Sequence, residues 1–397
     1  MLLLFWLLAI PAALLALESL RTGRRHLKFV QDYIARPPVG WAPPATLIVP
    51  VKSGEPGLAD NFHSLVEQDY PDFELLVAAQ SAEDPAVAEI RHLFGQRARL
   101  VVSGTEPANT GEKIRNLLAA VAASRPSSAV LAFTDSDGRV ERGWLRALVS
   151  PLANSSVGAA TGYRWYFPQN GGFWSLMRSV WNSTIAGKFG LGSRQFAWGG
   201  AMALRREIFE HARVADYWRG AVSDDYRLTQ AVRAVGLQIQ FVPRAMVVSD
   251  DACTAREFLS WAARQMIITR IYRPALWWMG FVAHLWYCGA MVAALLVIAA
   301  GNWWAVPVLL LVIVPGMWCG ELRRRAAKLM FPNLAGWLGH YGSIYSWLTL
   351  PATWIWLLVF LASLFRRTIE WRGNTYVLLG PSQTLCVQEV TEYNPKT

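Results

Sequence analysis

The chain has 397 residues, room for one sizeable domain plus a membrane part. It is 53% hydrophobic and only 17% charged, low for a soluble protein. The net charge of +10 comes from basic residues beside apolar runs (Arg21, Arg24, Arg25, Lys28; Arg323, Arg324, Arg325, Lys328; Arg366, Arg367, Arg372). That placement fits a membrane topology signal and anionic lipid, and argues against nucleic acid as a partner.

Residues 2–17 are apolar, and the basic cluster follows them instead of preceding them. An uncleaved transmembrane anchor over 1–20 is therefore expected, with its N-terminus outside. A basic, Pro-rich linker is expected over 21–44. Residues 45–272 alternate strand-like runs (46–51, 73–79, 98–103, 129–134, 157–165) with helical stretches near 58–68, 85–94 and 113–124. Such alternation predicts an α/β domain with a mostly parallel sheet and helices on both faces. Residues 273–372 read as a membrane region, with near-spanning runs at 276–301 and 303–320 and a further candidate at 350–365. That last run is flanked by basic residues on both sides, so a hairpin over 329–365 and an interfacial or re-entrant segment both remain open. A cytosolic tail is expected over 373–397.

Two acidic pairs carry the chemistry. Asp135 and Asp137 follow an apolar run that reads as a buried strand, which puts them at a strand's carboxyl end, where open α/β sheets bind ligands. Two carboxylates one residue apart can share Mg²⁺ or Mn²⁺, and a hard cation bridges to a diphosphate. Asp-Ser-Asp-Gly is also ordinary turn chemistry, and the strand before it is what favours the metal reading. Asp224 and Asp225 open a helical stretch, where acids commonly cap the helix and complement its dipole. Asp225 is the candidate general base. Lys52 and Lys113 are candidates for pairing with phosphates. Gly199 and Gly200 could let backbone approach a sugar, although a bulge or turn explains them equally. The four cysteines form no CxxC, and the six histidines show no zinc spacing.

These residues resemble, in order, the motifs of the ceramide glucosyltransferase family, a membrane-bound, family-2-like group of inverting glycosyltransferases. Residues 46–86 resemble its opening block, TGEKIRNL (110–117) its lysine segment, and FTDSDGRV (133–140) its metal motif. GGAMALRRE (199–207) resembles its acceptor-side loop, and SDDYRL (223–228) the element in which Asp225 matches the catalytic Asp. The resemblance implies a GT-A fold, a UDP-sugar donor with glucose foremost, a lipid acceptor, and nucleotide-contacting roles for Lys52 and Lys113. Two departures stand out. The family's QxxRW element reads Arg264-Gln265-Met266-Ile267-Ile268 here, so its Arg-Trp pair is missing, with Gln265 and Arg270 as stand-ins. For the acidic residue after the second strand the candidates are Glu83 and Asp84. These departures are compatible with a bacterial relative acting on another lipid, such as a hopanoid, at the inner membrane with its catalytic domain cytosolic. A processive polysaccharide synthase and a catalytically inactive lipid-binding protein are the competing readings. The sequence gives no oligomeric state.

Overall fold

The computed structural model describes residues 2–37, 40–55, 57–107, 109–190, 192 and 195–387. Its strands are β1 (Ala45–Pro50), β2 (Phe73–Ala79), β3 (Arg99–Val102), β4 (Val130–Thr134), β5 (Arg139–Val140), β6 (Val157–Thr161) and β7 (Arg164–Tyr166). They continue with β8 (Ala201–Arg205), β9 (Gln238–Phe241), β10 (Val247–Ser249), β11 (Thr368–Trp371), β12 (Asn374–Gly380) and β13 (Gln383–Val387).

Seven strands form the central sheet in the order β3-β2-β1-β4-β8-β6-β9. The β3-β2-β1-β4 half is parallel, β6 pairs with β9 in parallel, and β8 runs antiparallel between the two groups. Period-2 alternation sends Leu47 and Val49 to one buried face and Ile48 to the other. With both faces covered, the strands read as continuous apolar runs, as in β4, where all five residues are buried. This is the α/β architecture that the alternation predicts. The run 157–165 divides into two strands, because β7 leaves the central sheet and pairs with β10 in a three-stranded side sheet with β5.

Outside this domain, three helices are long and apolar enough to cross a membrane: Leu2–Ile34, Pro274–Ala299 and Ala305–Met330. The first runs well beyond the expected anchor boundary. Most of the expected linker is therefore helical, since residues 21–34 carry good helix formers and no proline. The candidate at 350–365 is a shorter apolar helix, Thr349–Ser363. An aromatic cluster joins these helices to the α/β domain: Trp181 stacks on Trp356 at 3.8 Å, and the Trp165 indole donates to the Tyr345 hydroxyl at 2.6 Å.

The expected C-terminal tail differs most. Residues 368–387 form a three-stranded antiparallel sheet, β11-β12-β13, so the boundary at 372/373 cuts through a β-turn. The sheet docks on the α/β domain through Ile369, Tyr376 and Leu378, all buried in the core against the second face of the central sheet. Its alternating apolar positions are those of a half-buried strand pair. Residues 388–397 of the expected tail lie outside the described residues.

Candidate active site

The β4 strand ends at Thr134 and delivers Asp135 to the floor of a cavity of ≈ 780 Å³. The same cavity is lined by Lys52, Lys113, Asp137, Gly199, Gly200, Asp225, Arg264 and Gln265. Eight residues scattered through the sequence thus meet Asp135 in one place.

The two acidic pairs are linked by one lysine. Lys113 Nζ lies 2.8 Å from Asp135 and 3.1 Å from Asp224. Burial opposes its charge, but the carboxylates of Asp135 and Asp224 outweigh burial and raise its pKa. Asp224 is itself pushed up to about 6, first by burial and then by Asp225 and Asp135, with Lys113 opposing. Ser223, not either aspartate, caps the helix Asp224–Ala234 by accepting from the Tyr226 N–H. Asp225 shares that Tyr226 N–H, at 2.7 Å, takes a second hydrogen bond from the Ser223 hydroxyl, and lines the cavity.

Gly199 and Gly200 make this closeness sterically allowed. A Cβ at Gly199 would fall 2.5 Å from Asp224 Oδ2 and 2.9 Å from Lys113 Nζ. One at Gly200 would fall 2.1 Å from the Trp198 ring and 2.7 Å from Asp135 Oδ2. The glycines serve the carboxylates and the ring beside them.

Arg164, read from sequence only as part of a strand, is the main cation on the first pair. It donates to Asp137 at 2.9 Å, lies 3.4 Å from Asp135, and packs its guanidinium 5.3 Å over Trp198. Burial opposes ionisation of Asp137, yet Arg164 holds it below the usual carboxylate range. An arginine in an otherwise apolar buried strand is the signal that could have marked it. Lys52 pairs with Glu112 at 2.7 Å, so it is at the site with an acidic partner already.

Three expected site residues lie elsewhere. Asp84 is the N-cap of the helix Pro85–Phe94, accepting from Ala86 at 2.9 Å, and Glu83 is exposed and bonded to Ser81. Neither lines the cavity. Arg270 points away as well, donating to the Ser363 and Arg366 carbonyls that lead into β11. Arg264 is at the site, its guanidinium 5.7 Å over the ring of Trp371. The C-terminal sheet thus brings Trp371 against Arg264, with Arg372 next to it in the chain.

The donor set suits a hard divalent cation. Asp135 and Asp137 offer only carboxylate oxygens, side by side on the cavity floor, and Mg²⁺ or Mn²⁺ is commonly held by one or two carboxylates plus substrate phosphates. Among the described residues no group of three or more His, Cys, Asp or Glu could hold a metal without such help.

From this charged end the cavity continues between the apolar helices, past Trp181 and Trp356 to Met291, Val312 and Ile313. An acid-and-cation cleft on an α/β sheet, open to an apolar shaft, is the class of site a membrane-associated group-transfer enzyme needs. The family model described as Glycosyl transferase family 21 matches residues 2–382, so the chain belongs to that family of glycosyltransferases. Solved structures similar to the chain include the mannosyltransferase PcManGT from Pyrobaculum calidifontis in complex with GDP-Man and Mn²⁺, at 18% identity over 90% of this chain and 99% of that one, TM-score 0.49. Glucosyl-3-phosphoglycerate synthase from Mycobacterium tuberculosis is similar at 17% identity over 60% and 85%, TM-score 0.38. GalNAc-T7 with UDP, GalNAc and Mn²⁺ is similar at 14% over 58% and 48%, TM-score 0.40.

Proposed function

We propose that this family 21 enzyme is an inverting, GT-A-type transferase that moves a hexose, glucose foremost, from UDP to the hydroxyl of a membrane lipid of the ceramide or hopanoid kind. The observation that carries the reading is the single cavity joining Asp135, Asp137 and Asp225 to a shaft between apolar helices. A sugar nucleotide needs the first end and a lipid tail needs the second. The long apolar helices would lie in the bilayer, in a bacterial inner membrane, with the α/β domain on the cytosolic side where the basic clusters face anionic lipid.

In this reading the acceptor hydroxyl attacks the anomeric carbon and gives its proton to a carboxylate oxygen of Asp225. The bond from that carbon to the diphosphate breaks on the opposite face, which inverts the centre. Lys113, Lys52 and Arg164 present positive charge to the departing diphosphate. A divalent cation held by Asp135 and Asp137 supplies, when bound, further neutralisation of that leaving group.

The test is UDP release by the detergent-purified protein with UDP-glucose, Mn²⁺ or Mg²⁺, and ceramide or a hopanoid. Acceptor-dependent release with one sugar added per lipid is expected. Polymer formation would favour the synthase reading. Lipid binding without release from any donor would favour the inactive one.

A further inference from the structure

The C-terminal sheet reaches the donor end of the cavity through one turn. β11 and β12 pair Trp371 with Asn374, leaving Arg372 and Gly373 as a two-residue hairpin loop. Both have positive φ, 49° and 77°, the conformation that favours Asn, Asp or Gly at the first position. An arginine there is held in a sparsely populated backbone region, which persists only where the surroundings impose it.

The side chain goes inward. Arg372 is ion-paired with Glu55, in the loop after β1, and lies 3.5 Å from Asp137. The Glu55 side chain is only 5% exposed. Trp371, Arg372, Asn374 and Tyr376 all line the cavity.

Arg372 is not what fixes the sheet in place. That work is done by the buried Ile369, Tyr376 and Leu378, by Asn374 donating to Glu112 at 2.5 Å, and by Arg227 donating to Ser382 at 2.9 Å. A guanidinium at the tip of an independently docked hairpin, held between Glu55 and Asp137 at the edge of the cavity, has the bidentate geometry that phosphates select.

Resting on the donor reading above, we propose that Arg372 is a diphosphate-binding residue. It is parked on Glu55 and Asp137 and exchanges those carboxylates for the donor's phosphate oxygens, with Trp371 covering the nucleotide beside it. The C-terminal sheet then adds a cation to the donor end from beyond the apolar helices.

The experiment measures binding of UDP, UMP and uridine to the full-length protein in detergent, by calorimetry, with and without Mn²⁺, for wild type, Arg372→Ala, Arg372→Lys and Glu55→Gln. Arg372→Ala is expected to weaken UDP at least tenfold while changing uridine less than threefold, and Arg372→Lys to recover part of the loss. Glu55→Gln, which releases the arginine, is expected to bind UDP as tightly as wild type or more tightly. Were the pair merely structural, Arg372→Ala and Glu55→Gln would weaken all three ligands alike, and the inference would fall. Wild-type UDP affinity in Arg372→Ala overturns it too. A wild type that does not bind UDP overturns the donor reading itself, and this inference with it.

Discussion

The two acidic pairs look equivalent in sequence and are opposites in the structure. Asp135 and Asp137 both face the cavity and both carry cations, Lys113, Arg164 and Arg372. The second pair divides its labour: Asp224 is 4% exposed and held by Lys113, whereas Asp225 opens on the cavity with only hydrogen-bond donors behind it. The carboxylates of the first pair are crowded by cations, whereas Asp225, which has no ion pair among the described residues, keeps a side open to the cavity. Lys113 is the hinge of the contrast, since it neutralises one member of each pair.

The sharpest way to break this comparison is to neutralise each member. Asp225→Asn should reduce kcat by about 10³-fold or more with donor KM little changed, because it removes a base and leaves the cations in place. If Asp224→Asn instead carries the large loss of kcat and Asp225→Asn is mild, the roles are reversed.

Next in size are Asp135→Asn and Asp137→Asn. Each should raise the Mn²⁺ concentration needed for half-maximal UDP release by at least roughly tenfold to 100-fold, since losing a direct ligand costs no less than losing a hydrogen bond behind one. Asp225→Asn should leave that concentration unchanged. Metal titrations of the three variants separate a binding role from a proton-transfer role.

How far this site was legible in the sequence depends on chain distance. The β4 strand and its trailing Asp135 and Asp137 are local, so an apolar run followed by acids suffices to place them. Asp225 and the two lysines are singled out by the resemblance of their segments to the family's motifs, since a helix start or a lone lysine says little by itself. Arg164 carries a signal in its otherwise apolar strand, but that signal says only that a buried arginine needs a partner, and Asp137 becomes that partner only in the fold. Trp371 and Arg372 lie beyond the membrane-type helices, and only the docking of β11-β12-β13 returns them to the site. Asp84 sits away from the cavity for the converse reason. Its position before Pro85 marks a helix N-cap, and local capping claimed the side chain.

A smaller effect comes from the glycines between the pairs. Gly200→Ala sets a Cβ against Trp198 and Asp135, so it should cost on the order of tenfold in kcat/KM, the scale expected of a small misplacement beside the chemistry. Gly199→Ala presses instead on Asp224 and Lys113. Its expected signature is a shift in pH dependence with a milder loss of rate, read from rate profiles of both variants.

The smallest effect tests Asp224 alone. Its folded pKa of about 6 lies above that of an unfolded aspartate, so its contribution to stability is fully present at low pH and is lost as pH rises through about 6. Between pH 7.5 and 5.5 this one group should make the wild type more stable by about 1 kcal/mol. Asp224→Asn cannot titrate, so its melting temperature should lack that component. The difference between the two melting curves, taken at both pH values in the same detergent, isolates the group from every other titration in the chain. A difference that does not change with pH would mean that Asp224 keeps an ordinary pKa, with Lys113 outweighing burial. The second pair would then be electrostatically like the first.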